Sequence, residues 1–483
     1  MLEQYKKKSK IKLGFAPTRR ILALEKAFNK DEAFKYKNLI EDKVKTYGID
    51  YVNLDFLNDE GLLYSGMDSE KVAKKFIDEG VDAIFAPHCN FGTEDAVAKL
   101  AKRVNKPLLL WGPRDDMPDG YRMRDSQCGL FATSKVLSRF GVPFTYIPNC
   151  SMEDKAFDRG FKNFISAASA VKAFTNLRLG QISTRPGAFW SVKCNEAELL
   201  ERFGIEIVPT TLMDLKKIFD STLNERGTEI KEYIDGVKER IGRIEFKEDY
   251  LTRVAALKLS IKRWADDEQL SSIASQCWGP MVEMAGITPC FVLSELTDDG
   301  LPTICEADIH GAVTAVLAQG AMMGEAPIFL ADVTIRHPEN DNAELFWHCG
   351  VFPKSLAKEG TPLCLTNQFS RKLPAVAEWE IKGGDITITR FDGVNGEYSL
   401  LKGHGKGVRG PSTMGTYGWI EFKDWYDWEE KLIFGPYIHH VVGIHGKVAP
   451  ALHEACKYIP GLKADPVDPT AEEIKKYLRG LGE

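Results

Sequence analysis

Val81-Asp82-Ala83-Ile84-Phe85-Ala86, running into Pro87-His88-Cys89-Asn90-Phe91-Gly92-Thr93-Glu94, is the stretch that decides the fold. A short apolar run bounded by Pro, Asn and Gly reads as a buried strand ending in a loop, with a helix beyond it to Arg103. The same unit lies on either side. Lys10-Ile11-Lys12-Leu13-Gly14-Phe15 is a strand that ends in Ala16-Pro17-Thr18-Arg19-Arg20, and a helix follows over about 33 to 47. Tyr51 to Phe56 is a strand, Ser69 to Glu79 a helix, and Pro107 to Trp111 a strand. Strands alternating with helices over short loops predict a parallel sheet wound on both faces. The loops holding Arg19, Asn90 and Arg114 then share the rim at the carboxyl ends of the strands, where such sheets bind ligands.

Near residue 170 the pattern restarts with strands over 177 to 184 and 203 to 208, charged helices over about 215 to 264, and a helix over 268 to 276. After Pro353 the character changes. Asp385-Ile386-Thr387-Ile388-Thr389-Arg390-Phe391 alternates with period two, and glycines cluster from Gly403 to Gly418. That pattern predicts antiparallel strands and turns. A helix over 449 to 458 and a polar helix from Ala471 close the chain. The expected domains are therefore 1–170 and 171–353, both α/β, and a β-rich 354–483.

The bulk properties exclude several function classes. The chain has 483 residues and a formal charge of −6, so no basic field advertises nucleic acid or an anionic membrane. The Lys6-Lys7-Lys8 run reads as a solvated leader. No apolar run approaches the roughly 20 residues that span a bilayer, and the first residues lack the apolar core of a signal peptide. Ten cysteines without CxxC or zinc-like spacing read as reduced thiols of a cytoplasmic protein.

Two carboxylates follow dense apolar runs: Glu306 in Cys305-Glu306-Ala307-Asp308-Ile309-His310, and Asp332 in Phe329-Leu330-Ala331-Asp332-Val333. Each is expected where a buried strand ends. Singly, each reads as a helix cap. Together they suit a divalent cation or proton transfer, because a buried acid needs a cation or a proton. His310, four residues after Glu306, is either a metal partner or a helix-surface pairing beside the ligands. His348, in Trp347-His348-Cys349-Gly350, is a buried histidine near the acids. His439, His440 and His445 fall within seven residues. On an extended strand, neighbouring side chains point to opposite faces, so one of His439 and His440 at most is expected to face a site.

Gly405-Lys406-Gly407-Val408-Arg409-Gly410 matches GxGxxG in form only. No βαβ unit surrounds it, so no nucleotide cofactor is expected. The segment reads instead as a glycine-rich lid, with Thr413, Tyr417 and Trp419 as contacts. Trp278, Trp347, Trp419, Trp425 and Trp428 offer either sugar-stacking surface or core packing.

Taken together, these motifs resemble the L-fucose isomerase and L-arabinose isomerase superfamily, nearer the fucose branch. The resemblance rests on Gln276-Cys277-Trp278-Gly279-Pro280, Cys305-Glu306-Ala307-Asp308, Phe329-Leu330-Ala331-Asp332-Val333, His439-His440-Val441-Val442 and the loop Asn90-Phe91-Gly92-Thr93-Glu94. It implies two Rossmann-like, doubly wound domains and a barrel-like C-terminal domain. It also implies a homo-oligomer, often a hexamer, and a Mn²⁺-dependent aldose–ketose isomerase working through an enediol, with Co²⁺ or Mg²⁺ able to use the same ligands. The metal ligands map onto Glu306, Asp332 and His440, and the first two become the acid/base pair. Arg19, Asn90, Trp278, His310, His348, Trp419 and His439 are the expected substrate contacts. Cys89 stands where fucose isomerases carry a tryptophan, and Thr18-Arg19-Arg20 departs from the usual loop. A 6-modified hexose such as sulfoquinovose therefore stands beside L-fucose, D-arabinose and L-arabinose as the sugar, with exposed arginines at the rim as anion partners. The competing readings are a metal-dependent aldolase or epimerase, and a non-enzymatic sugar-binding protein.

Overall fold

The computed structural model describes residues 9–118 and 120–482 and divides them into two compact units. The Lys6-Lys7-Lys8 run lies outside the described residues.

One unit comprises Ser9–Lys172, Glu454–Ile459 and the residues from Ala471 on. Its sheet has the spatial order Asp50–Val52, Lys12–Phe15, Ala83–Pro87, Leu108–Trp111 and Thr145–Tyr146, with every pairing parallel. Ala83–Pro87 and Leu108–Trp111 are buried at every position, as unbroken apolar runs covered on both faces should be. The helix after the central strand, Glu94–Val104, starts with Glu94 and Asp95, ends with Lys102 and Arg103, and is stopped by left-handed Asn105. That charge order complements the helix dipole.

The other unit comprises Ala173–His453 and Pro460–Thr470. The regions expected as separate second and third domains are one compact body here. It contains a parallel four-stranded sheet in the order Thr303–Ile304, Ser272–Ser275, Arg178–Ile182, Glu206–Thr210. The helix expected over 268 to 276 is instead the strand Ser272–Ser275, preceded by a helix that ends at Asp267. A buried run of four residues is too short for its period to separate strand from helix.

The rest of this unit is built on a ten-stranded sheet. Six of its strands pair in antiparallel sequence: Glu397–Val408 with Gly384–Val394, then His440–His445, Ile328–His337, Asn340–His348 and Thr416–Glu421. Thr416–Glu421 pairs back onto Glu397–Val408, which closes the ring into a barrel and removes its open edges. The β-rich region thus begins at Ile328, ahead of the expected Pro353. The stretch expected as a glycine lid belongs largely to the strand Glu397–Val408. Glycine is required inside the barrel at Gly443, where a Cβ would lie 2.1 Å from Cζ of Phe329.

Candidate functional site

Glu306 stands where the sequence places it, directly after the parallel strand Thr303–Ile304, in the short turn Cys305–Ala307. Its backbone is left-handed (φ 64°), as is that of Ala307 (φ 54°). Two adjacent non-glycine residues in that region each cost about 1–3 kcal/mol, and such strain collects at functional sites. The following helix, Ile309–Ala321, holds the turn down. Asp308 is its N-cap and accepts from the Gly311 N–H at 2.9 Å. A Cβ on Gly311 would come within 2.7 Å of that carboxylate.

Asp332 does not end a strand as expected. It lies inside the antiparallel barrel strand Ile328–His337, in register with His440 on one side and Trp347 on the other. Residues facing each other across a ladder share a face, so sheet register brings the Asp332 carboxylate to the His440 ring. Nε2 of His440 lies 3.4 Å from Oδ1 of Asp332 and 3.1 Å from Oε2 of Glu306. Both Nε2 of His440 and Oδ1 of Asp332 are buried without an aligned hydrogen-bond partner. His439 precedes the strand and so escapes its alternation. Nε2 of His439 sits 3.9 Å from Oδ1 of Asp332. The expectation that only one of the two histidines faces the site is therefore corrected. Asp332, His439 and His440 offer ligand atoms within 4.8 Å of one another.

Behind these groups runs a buried charge chain that the motif reading did not single out. Nδ1 of His440 lies 3.0 Å from Oδ2 of Asp308, and Asp308 also accepts from both terminal nitrogens of Arg390, at 2.5 and 3.1 Å. Arg390 bonds Asp392 as well, and Asp392 holds Nδ1 of His310 at 2.8 Å. Burial opposes the charge on Asp308, but Arg390 and His440 outweigh it and hold its carboxyl well below the usual carboxylate range. Burial likewise opposes charge on His440, yet its hydrogen bond to Asp308 and the nearby Glu306 and Asp332 carboxylates raise the ring to about 9. The signal for this chain was present in the period-two strand. Arg390 and Asp392 share the parity of buried Ile386 and Ile388, so their charges had to fall on the apolar face.

The other expected contacts divide. Nε1 of Trp278 donates to Oε1 of Glu306 at 3.2 Å, which puts its ring at the site. The His348 ring is 6.5 Å from that of His440, and its buried Nε2 has no partner. His310 is engaged by Asp392 and meets the ligands only through Arg390 and Asp308. Trp419 is a core residue, with its indole N–H on the Pro411 carbonyl and its ring among Leu345 and Tyr417. In the other unit, Arg19 is buried and forked onto Glu60, over the Tyr64 ring, so it is not an exposed rim arginine. The Asn90 side chain accepts from the Arg20 and Gly92 N–H groups, holding its own loop. Four thiols lie beside the site: Cys305 contacts Cys277 at 2.6 Å, and Cys290 approaches Cys349 at 3.5 Å.

In the unit that holds the four-stranded parallel sheet and the barrel, carboxylate and imidazole atoms converge on one point, an arrangement of the kind that can hold a cation or pass protons. Residues 21–175 match the family model described as "Fucose/sulfoquinovose isomerase, N-terminal domain". A sulfoquinovose isomerase of Priestia aryabhattai is 26% identical over 377 residues, covering 77% of this chain and 83% of the relative. One from Alkalicoccus urumqiensis is 26% identical over 330 residues, covering 68% and 73%. The chain is thus similar to sulfoquinovose isomerases over most of its length, and its residues 21–175 to the N-terminal domain of the fucose/sulfoquinovose isomerase family. A periplasmic solute-binding protein of Actinobacillus succinogenes with bound D-allose aligns over 65% of this chain and 88% of its own at 14% identity. Its TM-score of 0.16 carries no weight for fold or function.

Proposed function

We propose that this chain interconverts an aldose and its ketose, with a sulfoquinovose-type sugar as substrate and a divalent cation of the Mn²⁺ class as cofactor. The observation that carries the reading is the convergence of Glu306 and Asp332 on Nε2 of His440, with two of the three facing atoms buried and unpartnered. The names of the relatives support the sugar. Glu306, Asp332 and His440 would hold the cation, with His439 within reach. When bound, it polarises the sugar oxygens and keeps both carboxylates ionised.

The reaction moves one proton between C2 and C1 and another between the attached oxygens, through a cis-enediol. One carboxylate of the pair takes and returns the carbon-bound proton, and the other carries the hydroxyl proton. Oε1 of Glu306 is already fixed by the Trp278 indole, so the carboxylate cannot swing away while Oε2 faces His440. Asp308 fixes the His440 ring with Nε2 outward.

The wider expectations belong to the same proposal. The two parallel sheets are taken as Rossmann-like, doubly wound units, which the 2-1-3-4-5 strand order of the first supports. A homo-oligomer, a hexamer by family resemblance, is its assembly. A reducing, cytoplasmic setting agrees with ten free cysteines. Among the described residues no helix is long and apolar enough to cross a membrane.

The test is an assay after chelation and Mn²⁺ addition, on sulfoquinovose, L-fucose, D-arabinose and L-arabinose, with Glu306→Gln in parallel. We expect ketose product and a loss of at least about 10²-fold in kcat for the variant. Near-normal turnover by Glu306→Gln with metal bound, or cleavage fragments or a C-epimer as product, would defeat the reading.

A further inference from the structure

With Arg19 committed to Glu60, the cation that would meet an anionic sugar must be sought elsewhere. The surroundings of Trp278 supply one. The Arg371 guanidinium lies over the Trp278 ring, 5.5 Å from its centroid. Arg371 stands on a tight turn in which its N–H donates to Oε1 of Gln368 at 2.6 Å, and Gln368 N–H bonds back to the Leu373 carbonyl at 2.7 Å. On another side of the indole, Phe189 makes an edge contact at 4.9 Å. The loop carrying Phe189 is gathered by Arg185, whose Nη1 donates to the carbonyls of Pro186, Gly187 and Phe189.

Neither arginine forms an ion pair with a carboxylate among the described residues. Both spend their hydrogen bonds on neutral carbonyls or none, so their charge is uncompensated next to the Trp278–Phe189 pair. By contrast, Arg178, Arg202 and Arg240 in the same unit are each paired with a glutamate. The Trp278 indole touches Glu306 with its N–H and Arg371 with its face, so one ring separates the acid/base carboxylate from the free guanidinium. A six-carbon chain has comparable reach. A sugar with C1 and C2 at Glu306 and Asp332 would then have the indole and the guanidinium beyond it within its length.

We infer that Arg371, held over the Trp278 face, is the specificity-determining anchor for a sulfonate on the substrate carbon farthest from the reacting pair, with Arg185 on the Phe189 loop as a second cation beside the same indole. A planar guanidinium matches two sulfonate oxygens at once, and stacking on an aromatic face holds it in place beforehand. Trp278 thereby positions Glu306 on one side and the substrate's anion partner on the other. The inference rests on the isomerase reading above and names which residues read the anionic group.

The experiment compares kcat/KM for sulfoquinovose with that for its neutral 6-deoxy counterpart, in the full-length Mn²⁺ enzyme, Arg371→Gln, Arg371→Lys and Arg185→Gln. The expected result is a fall in the sulfonated-to-neutral ratio of about 10- to 100-fold for Arg371→Gln, the size of a lost charge-assisted hydrogen bond. Arg371→Lys restores part of it, and added salt raises KM for the sulfonated sugar in the wild type. If the wild type turns over the sulfonated sugar but the ratio is unchanged in the arginine variants, the anchor is refuted while the isomerase reading stands. A wild type that prefers the neutral sugar refutes the anchor too. If no aldose is turned over, the isomerase reading fails, and the anchor is judged by titrating methanesulfonate against tryptophan fluorescence. Binding lost in Arg371→Gln supports it, and equal or absent binding refutes it.

Discussion

Asp308→Asn tests the buried charge chain most directly. Asp308 has no exposed surface and accepts from four donors: Gly311 N–H, two Arg390 nitrogens and His440 Nδ1. The amide keeps one acceptor oxygen of the same shape but removes the charge, and Arg390 stays fully buried with Asp392 alone. Breaking a buried pair by removing one partner costs about 3–5 kcal/mol. The retained acceptor and the surviving Asp392 contact place this case near the lower end, about 3 kcal/mol. His440 also loses its first support, so its orientation toward Glu306 and Asp332 loosens, and Mn²⁺ affinity should fall by about 10- to 100-fold. Denaturant unfolding of the chelated protein, followed by the buried Trp379 and Trp428 of the same unit, reads the first quantity, and calorimetric Mn²⁺ titration the second. The pH dependence supplies a further check. Asp308's carboxyl is depressed in the fold, so its contribution is present above the unfolded carboxylate pKa and is lost as pH falls through the lower folded value. The variant should therefore have a flatter acid limb. A loss under about 1 kcal/mol with unaltered Mn²⁺ affinity would refute the claim that Asp308 holds both Arg390 and His440.

Two other perturbations follow from the same geometry. The His440 ring titrates at about 9 in the metal-free site, so near neutral pH a cation must displace its proton. Apparent Mn²⁺ affinity should rise about tenfold per pH unit and level off near pH 9, with about one proton released per ion in buffers of differing ionisation enthalpy. A pH-independent affinity would mean His440 is no ligand. In the metal-free protein, the raised pKa gives stability that is complete below the unfolded histidine value and is lost as pH climbs through about 9. Gly443→Ala would drive a Cβ to 2.1 Å from the Phe329 ring and should lower stability by about 1–3 kcal/mol. Because the affected strands carry His440 and Asp332 in register, Mn²⁺ affinity should drop with it in titration, and a neutral outcome would show the barrel wall to be compliant.

Local patterns reached much of the fold. The run from Val81 through Glu94 and its neighbours announced a parallel sheet, because unbroken apolar strands between amphipathic helices have few other ways to bury both faces. Glu306 was legible as an acid following a buried strand, and its motif carried Asp308 along. The short strand Ser272–Ser275 was not legible, because four residues hold too little period. Nor was the beginning of the barrel at Ile328, since Phe329-Leu330-Ala331 looks the same whether its neighbours are parallel or antiparallel.

By itself, then, the sequence determined which groups are present: two acids after apolar runs, a histidine cluster, and charged residues at Arg390 and Asp392 on an otherwise apolar strand face. Their assembly was decided only in three dimensions. Asp332 meets His440 through antiparallel register between strands more than 100 residues apart. The Cys305–Ala307 turn takes a left-handed backbone that no local preference would choose, and His439 reaches the site because it stops one residue short of the strand. Arg19 is withdrawn from any rim by Glu60, while Arg371 is laid over Trp278. Such placements depend on closing the barrel and satisfying buried charge, which are properties of long-range contacts.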